Sequence, residues 1–336
     1  MTTRFVTIVL PALNEEAYIE AAIASLLPVE ADFRYEVLIM DGGSSDRTVE
    51  LVEAMGRDNP RIRVIHNAKR LQSAGVNEAA RLAHPESTVL LRADCHAVYP
   101  RDFVRRCLSV LDNNAVQSVV VPMMTMGTTA FQRAVAAAQN SVMGNGGAAH
   151  RRGTYSGLVD HGHHAAFDRA FFLSVGGYDE TFSHNEDAEL DIRIGKTGGR
   201  IWLDSDNPVI YFPRKSITAL ARQYFKHGAG RARTIRKHGV RPKARQLAPL
   251  FILSSFAGGA ALTPTSPLFL APALAYSLAC CLVGAAQAVR EREAPLLMMG
   301  PAAMAMHLGW AAGFLRTVIS WRQSEPLPDI TVTEAR

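Results

Sequence analysis

Over its first third the chain alternates between two hydrophobic patterns. Residues 5–10 (FVTIVL), 35–40 (YEVLIM), 62–66 (IRVIH) and 88–91 (TVLL) are brief apolar runs rich in β-branched residues and closed by turn-forming or polar positions, as in strands buried on both faces of a parallel sheet. Between them, residues 15–27, 46–55 and 73–82 repeat their apolar positions at helical spacing, and Asp46 is placed to cap the second helix. This β-α-β-α-β order predicts an α/β fold with a mostly parallel, doubly wound sheet. A helix is expected from Pro100 to Asp112, followed by the apolar stretch 117–122. The glycine-rich stretch 143–157 reads as a mobile loop. Residues 165–175 and 188–196 read as helices on either side of Gly176-Gly177-Tyr178-Asp179-Glu180. No internal repeat is evident.

The pattern changes in the last third. Three nearly charge-free segments occupy about 247–262, 267–289 and 295–319, with Glu291-Arg292-Glu293 between the second and third. The first is short of the ~20 residues a spanning helix needs, and prolines 264, 267 and 272 interrupt the middle. Either three helices cross a bilayer or the first two form a re-entrant hairpin. A buried helical domain is the alternative.

Charge sharpens that reading. Lys+Arg less Asp+Glu is 36 − 31 = +5, yet no acid occurs between Asp206 and Glu291, and residues 214–245 hold eleven Lys or Arg. Basic residues beside an apolar span mark the cytoplasmic side and meet anionic lipid there. Nucleic acid is not expected as a partner, because no aromatic-rich, base-stacking surface accompanies the charge. The N-terminal apolar run is too short for a signal peptide, and Pro11 interrupts it, so the soluble part is expected in the cytoplasm. Cys95, Cys107, Cys280 and Cys281 have neither zinc nor disulfide spacing.

Candidate chemistry lies in acidic clusters at the predicted strand ends: Asp41-Gly42-Gly43-Ser44-Ser45-Asp46, Asp94-Cys95-His96 and Glu186-Asp187. In an open α/β sheet the loops at the carboxyl ends of the strands form the ligand crevice. Carboxylates gathered there repel one another unless a metal, a metal–diphosphate complex or a proton relay uses them. Such a set points to work on a nucleotide-linked substrate.

Pro11-x-x-Asn14-Glu15 after the first strand, Asp41 to Asp46 after the second, Asp94-x-His96 after the fourth and Glu186-Asp187 before a helix resemble family 2 inverting glycosyltransferases of the GT-A nucleotide-sugar-binding fold. The resemblance covers about residues 4–235. It implies a catalytic domain over 1–235, a basic juxtamembrane linker over 236–246, membrane-embedded helices over 247–322 and a short polar tail over 323–336.

The resemblance also implies roles. Asp41 would accept the uracil imide N–H, since a carboxylate only accepts; the alternative is a loop carboxylate closing an Asx turn. Pro11, Asn14, Glu15 and Asp94 would line the same nucleotide pocket. Asp94 and His96 would hold a divalent cation, Mn²⁺ or Mg²⁺, that neutralises the departing diphosphate. His96 stands where the second Asp of the commonest motif would be, and its imidazole tilts the choice to Mn²⁺. Asp187 would be the single general base of an inverting transfer, with Glu186 orienting it or the acceptor. Many processive relatives carry Gln-x-x-Arg-Trp after the base; here Gln223 fits and the Arg-Trp pair is absent, which argues for one sugar per encounter. Gln223 and Arg231 would face the acceptor, while Lys226, His227 and Arg231 suit a diphosphate or a basic collar at the membrane. His161, His163 and His164 suit sugar hydrogen bonds better than a metal.

The implied activity is transfer of a hexose, expected to be glucose in a β-1,3 bond, from a UDP-sugar to a polyprenyl-diphosphate-linked oligosaccharide in exopolysaccharide assembly. It would take place at the cell inner membrane, on a multi-pass protein whose catalytic domain is cytoplasmic. A polyprenyl-phosphate glycosyltransferase is the alternative, and a non-catalytic membrane partner a more distant one.

Overall fold

A computed structural model describes residues 4–28, 32–146 and 155–321. Four parallel strands form its first half: β1 Phe5–Ala12, β2 Arg34–Asp41, β3 Ile62–His66 and β4 Ser87–Arg92. The helices between them are α1 Ile19–Leu26, α2 Thr48–Asp58 and α3 Gln72–Leu82. Strand alternation sends Val6, Ile8 and Leu10 to one face, against Ile19 and Ile23 of α1. Val9, Leu38 and Met40 go to the other face, against Val76 and Ala80 of α3. Each fully buried Ile or Leu contributes about 1.5–3 kcal/mol, so the two apolar layers fix the register. In that register Ala12 lies beside Asp41 and Val9 beside Arg92. The loops after β1, β2 and β4 therefore open on one edge.

The remaining elements extend this sheet. They are β5 Ala97–Val98, α4 Phe103–Asn114, β6 Ser118–Val121, β7 Met123–Thr125, α5 Ala130–Asn140, α6 Val142–Asn145, β8 Gly157–Val159, β9 His163–Asp168, α7 Arg169–Ser174, α8 Glu186–Lys196, β10 Ile201–Leu203 and β11 Val209–Tyr211. The main sheet runs β3-β2-β1-β4-β9-β6-β10-β8, and β5-β11-β7 forms a second, small sheet. β9 is antiparallel to both its neighbours, β4 and β6.

That strand corrects one expectation. Residues 165–175 are not one helix: 163–168 form β9, and only Arg169–Ser174 is helical. The apolar run Ala165-Ala166-Phe167 is too short for its period to separate strand from helix, and pairing on both edges decides the matter. Asp46 stands one residue outside the cap position of α2, yet its carboxylate accepts from the Thr48 N–H at 3.0 Å. Of the segment expected to be a mobile loop, residues 147–154 lie outside the described residues, as does the tail 323–336. The described flanks contribute α6 and β8.

Four helices complete the chain: α9 Ile217–His238, α10 Ala244–Leu262, α11 Ala271–Glu291 and α12 Met299–Trp321. The basic segment is largely α9. α12 lies along it, close enough that a Cβ on Gly228 would come within 1.9 Å of the Trp310 carbonyl oxygen, and one on Gly313 within 1.9 Å of that of Phe225. Met299, Ala302, Ala303 and Met306 of α12 pack on Val135 and Ala138 of α5 and Leu220 of α9. α11 instead leaves Leu274, Leu278, Leu282 and Val289 exposed. Two segments, Pro267–Glu291 and Ala294–Ser320, are long and apolar enough to cross a membrane. Of the three apolar segments in the sequence, the first, α10, is not one of them.

Candidate active site

The loops after β1 and β2 are tied together by their own polar groups. Asn14, in the left-handed region at φ 56°, accepts the Ser45 N–H at 2.8 Å on its Oδ1, and its own N–H donates to Ser44 Oγ at 2.9 Å. The Glu15 N–H donates to Thr48 Oγ1 at 2.8 Å, and the Glu16 N–H to Asp46 at 3.1 Å. Asp41 is buried and accepts the Gly43 N–H at 2.9 Å and the Ser44 N–H at 3.1 Å. The Asx turn is thus formed, while a carboxylate with about four lone-pair sites keeps capacity for a further donor. Gly43, at φ 85°, lets the loop pass beneath the guanidinium of Arg70.

The centre of the site is Arg92 at the end of β4, 5% exposed. Its guanidinium hydrogen-bonds Asp187 and the Tyr178 hydroxyl, the latter at 3.2 Å, and stands 3.6 Å from Asp94 and 3.7 Å from Glu186. One buried cation therefore gathers three carboxylates from two distant parts of the chain. Asp94 is steadied by Gln72 Nε2 at 3.1 Å, and its N–H by the Tyr99 hydroxyl. β9 adds a second layer. His164 lies 3.3 Å from Asp187, 2.7 Å from Asp191 and 2.7 Å from the Tyr178 hydroxyl. His163 reaches Asp94 at 3.6 Å and Asp187 at 4.0 Å, and His161 bonds Asp191 at 2.6 Å.

The charges are divided unequally. Burial alone would raise the Asp187 pKa, but Arg92, then His164 and His163, outweigh it and hold the carboxyl well below its usual range. Burial likewise opposes the ionised form of Asp94, and Arg92, His163 and His96 overcome it. Glu186 goes the other way, to about 7, because burial and the neighbouring Asp187 charge exceed the help from Arg92. Burial would lower His164, yet Asp191 and Asp187 lift it to about 9. His163 falls to about 4 through burial, with Arg92 adding to that against the pull of Asp94.

A cavity of about 310 Å³ opens over this cluster. Asp94, His96, Glu186, Asp187 and Gln223 line it, as do Arg92, His163 and Tyr211. Gln223 donates to the Tyr211 hydroxyl at 3.0 Å, and Tyr211 meets the His96 ring edge-on at 5.5 Å between centroids. Arg231 does not line this cavity but the one beside it. Pro11, Asn14, Glu15 and Asp41 sit outside it, joined to it by the Glu15–His96 contact at 3.3 Å and by the Pro11 carbonyl, which accepts from Cys95 Sγ at 3.3 Å.

Among the described residues no group of three or more His, Cys, Asp or Glu side chains forms a self-sufficient metal cage. The donor set does fit a hard cation shared with a substrate, since Mg²⁺-type sites use one or two carboxylates and complete their shell with phosphate oxygens and water. Asp94 could supply that carboxylate, with His96 and His163 lining the same cavity.

Arg92, Gln72, Tyr178 and Asp191 escaped the reading of the sequence. An arginine closing an otherwise apolar strand two residues before Asp94 was the available signal for Arg92; the others become visible only once β9 and α8 are in place.

The sequence profile of glycosyl transferase family 2 matches residues 7–176. The chain is 41% identical over 323 residues to the succinoglycan biosynthesis protein ExoA of Rhizobium meliloti (strain 1021), covering 96% of this chain and 98% of that relative. Mannosyltransferase PcManGT from Pyrobaculum calidifontis, solved in complex with GDP-Man and Mn²⁺, is similar at TM-score 0.62 and 19% identity, over 96% of this chain and 89% of that one. TarS 1–349 from S. aureus, in complex with UDP-GlcNAc, is similar at TM-score 0.51 and 15% identity, over 96% and 92%. At these identities the structural likeness speaks to the fold, which is of the GT-A kind.

Proposed function

Because this chain belongs to glycosyl transferase family 2, we propose that it moves a hexose, glucose foremost, from a UDP-sugar to a polyprenyl-diphosphate-linked oligosaccharide with inversion. The bond formed would be β-1,3, and the setting succinoglycan-type exopolysaccharide assembly. The observation that carries this reading is the convergence of Asp94, Glu186 and Asp187 on Arg92 in one cavity. Near-full-length identity to a succinoglycan biosynthesis protein supports the pathway. The apolar exterior of α11 supports a membrane enzyme, and we place its catalytic domain, residues 1–235, on the cytoplasmic face of the inner membrane with α11 and α12 as the membrane helices.

In this reading the acceptor hydroxyl oxygen bonds to the anomeric carbon, the bond from that carbon to the diphosphate oxygen breaks, and UDP leaves. Asp187 takes the hydroxyl proton. Ion-paired to Arg92, it is ionised beforehand and accepts the proton as the new bond forms, when the hydroxyl has become strongly acidic. Glu186, whose carboxyl titrates at about 7, can donate a hydrogen bond to the acceptor when protonated. Asp94 would hold the divalent cation beside His96, and bound there it would neutralise charge on the leaving diphosphate. Asp41, with Asn14 shaping its loop, would receive the uracil, and Gln223 would face the acceptor.

A second reading takes the lipid phosphate itself as nucleophile. The Arg92–Asp187 pair favours it, since a carboxylate so strongly neutralised is a weak base and an ionised acceptor needs none. The test for both uses membranes containing the protein, supplied with radiolabelled UDP-glucose, UDP-galactose or UDP-N-acetylglucosamine and Mn²⁺ or EDTA, followed by lipid extraction. Label in a lipid-linked oligosaccharide from UDP-glucose alone, lost with EDTA and lowered about 10²–10⁴-fold in Asp187→Asn, is the expected result. Asp187→Asn should still bind UDP by calorimetry. Label on polyprenyl phosphate, retained in Asp187→Asn, would establish the second reading; no label with any donor would overturn both.

A further inference from the structure

A larger cavity, about 470 Å³, adjoins the catalytic one and lies where α9, α10 and α12 meet. The two cavities share Gln139, His161, Asn185, Tyr224 and His227 as a common wall, and Asn185 directly precedes the Glu186-Asp187 pair. Beyond that wall the lining divides into two halves. One half is cationic, with Arg231 of α9 and Arg245 at the start of α10. The other is apolar, with Pro249 and Ile252 of α10 and Met306 and Trp310 of α12.

Neither arginine has a hydrogen bond or ion pair among the described residues. Burial and the like charge of Arg245 disfavour Arg231 as a cation by more than the attraction of Asp191 and Asp160 restores. Two neighbouring guanidinium groups so incompletely offset leave an electrostatic cost that a multiply charged anion would relieve. On the same helix, next to the lining residues, Leu247 and Phe251 are exposed. An anion with an apolar tail fits both halves; a free sugar or a plain phosphate fits one.

We infer that this second cavity is the seat of the acceptor's lipid diphosphate: Arg231 and Arg245 hold the phosphates, the first prenyl units lie against Ile252 and Trp310, and the saccharide extends past Asn185 and His227 toward Asp187. The inference rests on the lipid-linked acceptor proposed above and adds the place where it is recognised. It also gives Arg231, an acceptor residue by resemblance, a location apart from the reacting centre.

The test is calorimetric titration of the detergent-solubilised full-length protein with farnesyl diphosphate, farnesol, inorganic diphosphate and dihexanoylphosphatidylglycerol, alongside UDP with Mn²⁺. Farnesyl diphosphate should bind more tightly than the other three lipid or phosphate probes. Arg245→Gln and Arg231→Gln should each weaken it about tenfold or more, the size of a lost charge-assisted hydrogen bond, and Ile252→Asn should weaken it while leaving inorganic diphosphate unaffected. UDP binding, unchanged in Arg245→Gln, certifies its fold. Farnesyl diphosphate affinity unaffected by both arginine variants would overturn the inference. So would equal affinity for the phosphatidylglycerol, which would make the cavity a phospholipid seat. Failure of the underlying reading looks different: wild-type membranes would then place no label in a lipid-linked oligosaccharide, whatever the titration shows.

Discussion

Three basic groups surround Asp187: a guanidinium that stays charged, an imidazole raised to about 9 and another lowered to about 4, which is neutral near pH 7. His164 is the one whose charge changes nearest the working range. Its folded pKa lies above its ordinary value of 6.5, so its contribution to stability is fully present below about pH 6.5 and is lost as pH rises through about 9. The denaturant midpoint of the wild type should therefore fall between pH 7 and 10, and that fall should be smaller in His164→Gln. Equal slopes in the two proteins would remove His164 from the account. Asp94, Glu186 and Asp187 were legible in the sequence because they fall in acidic clusters at predicted strand ends and helix starts. Their partners were not, since Arg92 meets Asp187 across 95 positions of chain and no local pattern reports a contact of that range. The Asx turn at Asp41, expected as an alternative to nucleotide contact, is formed, and it leaves the carboxylate able to accept a further donor.

Among the elements, the parallel half was legible because each strand is a clean apolar run and each helix a clean period. β9 was not. It takes its identity from β4 and β6 on its two edges rather than from its six residues. The parallel pairing of α9 with α12, in which Gly309 meets Ala221 and Gly313 meets Phe225, was hidden for a related reason: a basic stretch and a distant apolar stretch give no sign in sequence that their glycines lie in one contact. Gly228→Ala places a Cβ 1.9 Å from a backbone oxygen of α12, a clash that only helix separation relieves. It should cost about 1–3 kcal/mol, read as a lower unfolding temperature in detergent. Gly258→Ala in α10 meets nothing within 4 Å and should be neutral or stabilising by up to about 1 kcal/mol. Equal behaviour of the two variants would show that the α9–α12 contact does not limit stability.

At the scale of the molecule, two forces would hold the protein to a bilayer, and salt separates them. The basic residues of α9 and its flanks act through charge, which is screened within about 3 Å at 1 M salt. The exposed leucines of α11 act through apolar transfer, worth about 25 cal/mol per Å² buried, and salt does not weaken this. Membrane pellets washed in 1 M salt should retain the wild type. Replacing Leu274, Leu278 and Leu282 together by Asn should release it into the wash; release of the wild type would show charge to be the principal anchor.

α9 is also gripped from its other side. A Cβ on Gly230 would stand 2.4 Å from the carbonyl oxygen of His184, two residues before Glu186, so this helix touches the apolar layer with one flank and the reacting loop with the other. Such a helix is a strut between that layer and the loop that leads into Asp187. If the acceptor is the lipid-linked saccharide proposed above, it would offer its reactive hydroxyl by reach alone. A saccharide one sugar too short would fall below Asp187 and one too long would pass it, and the strut would act as a ruler that counts residues before chemistry begins.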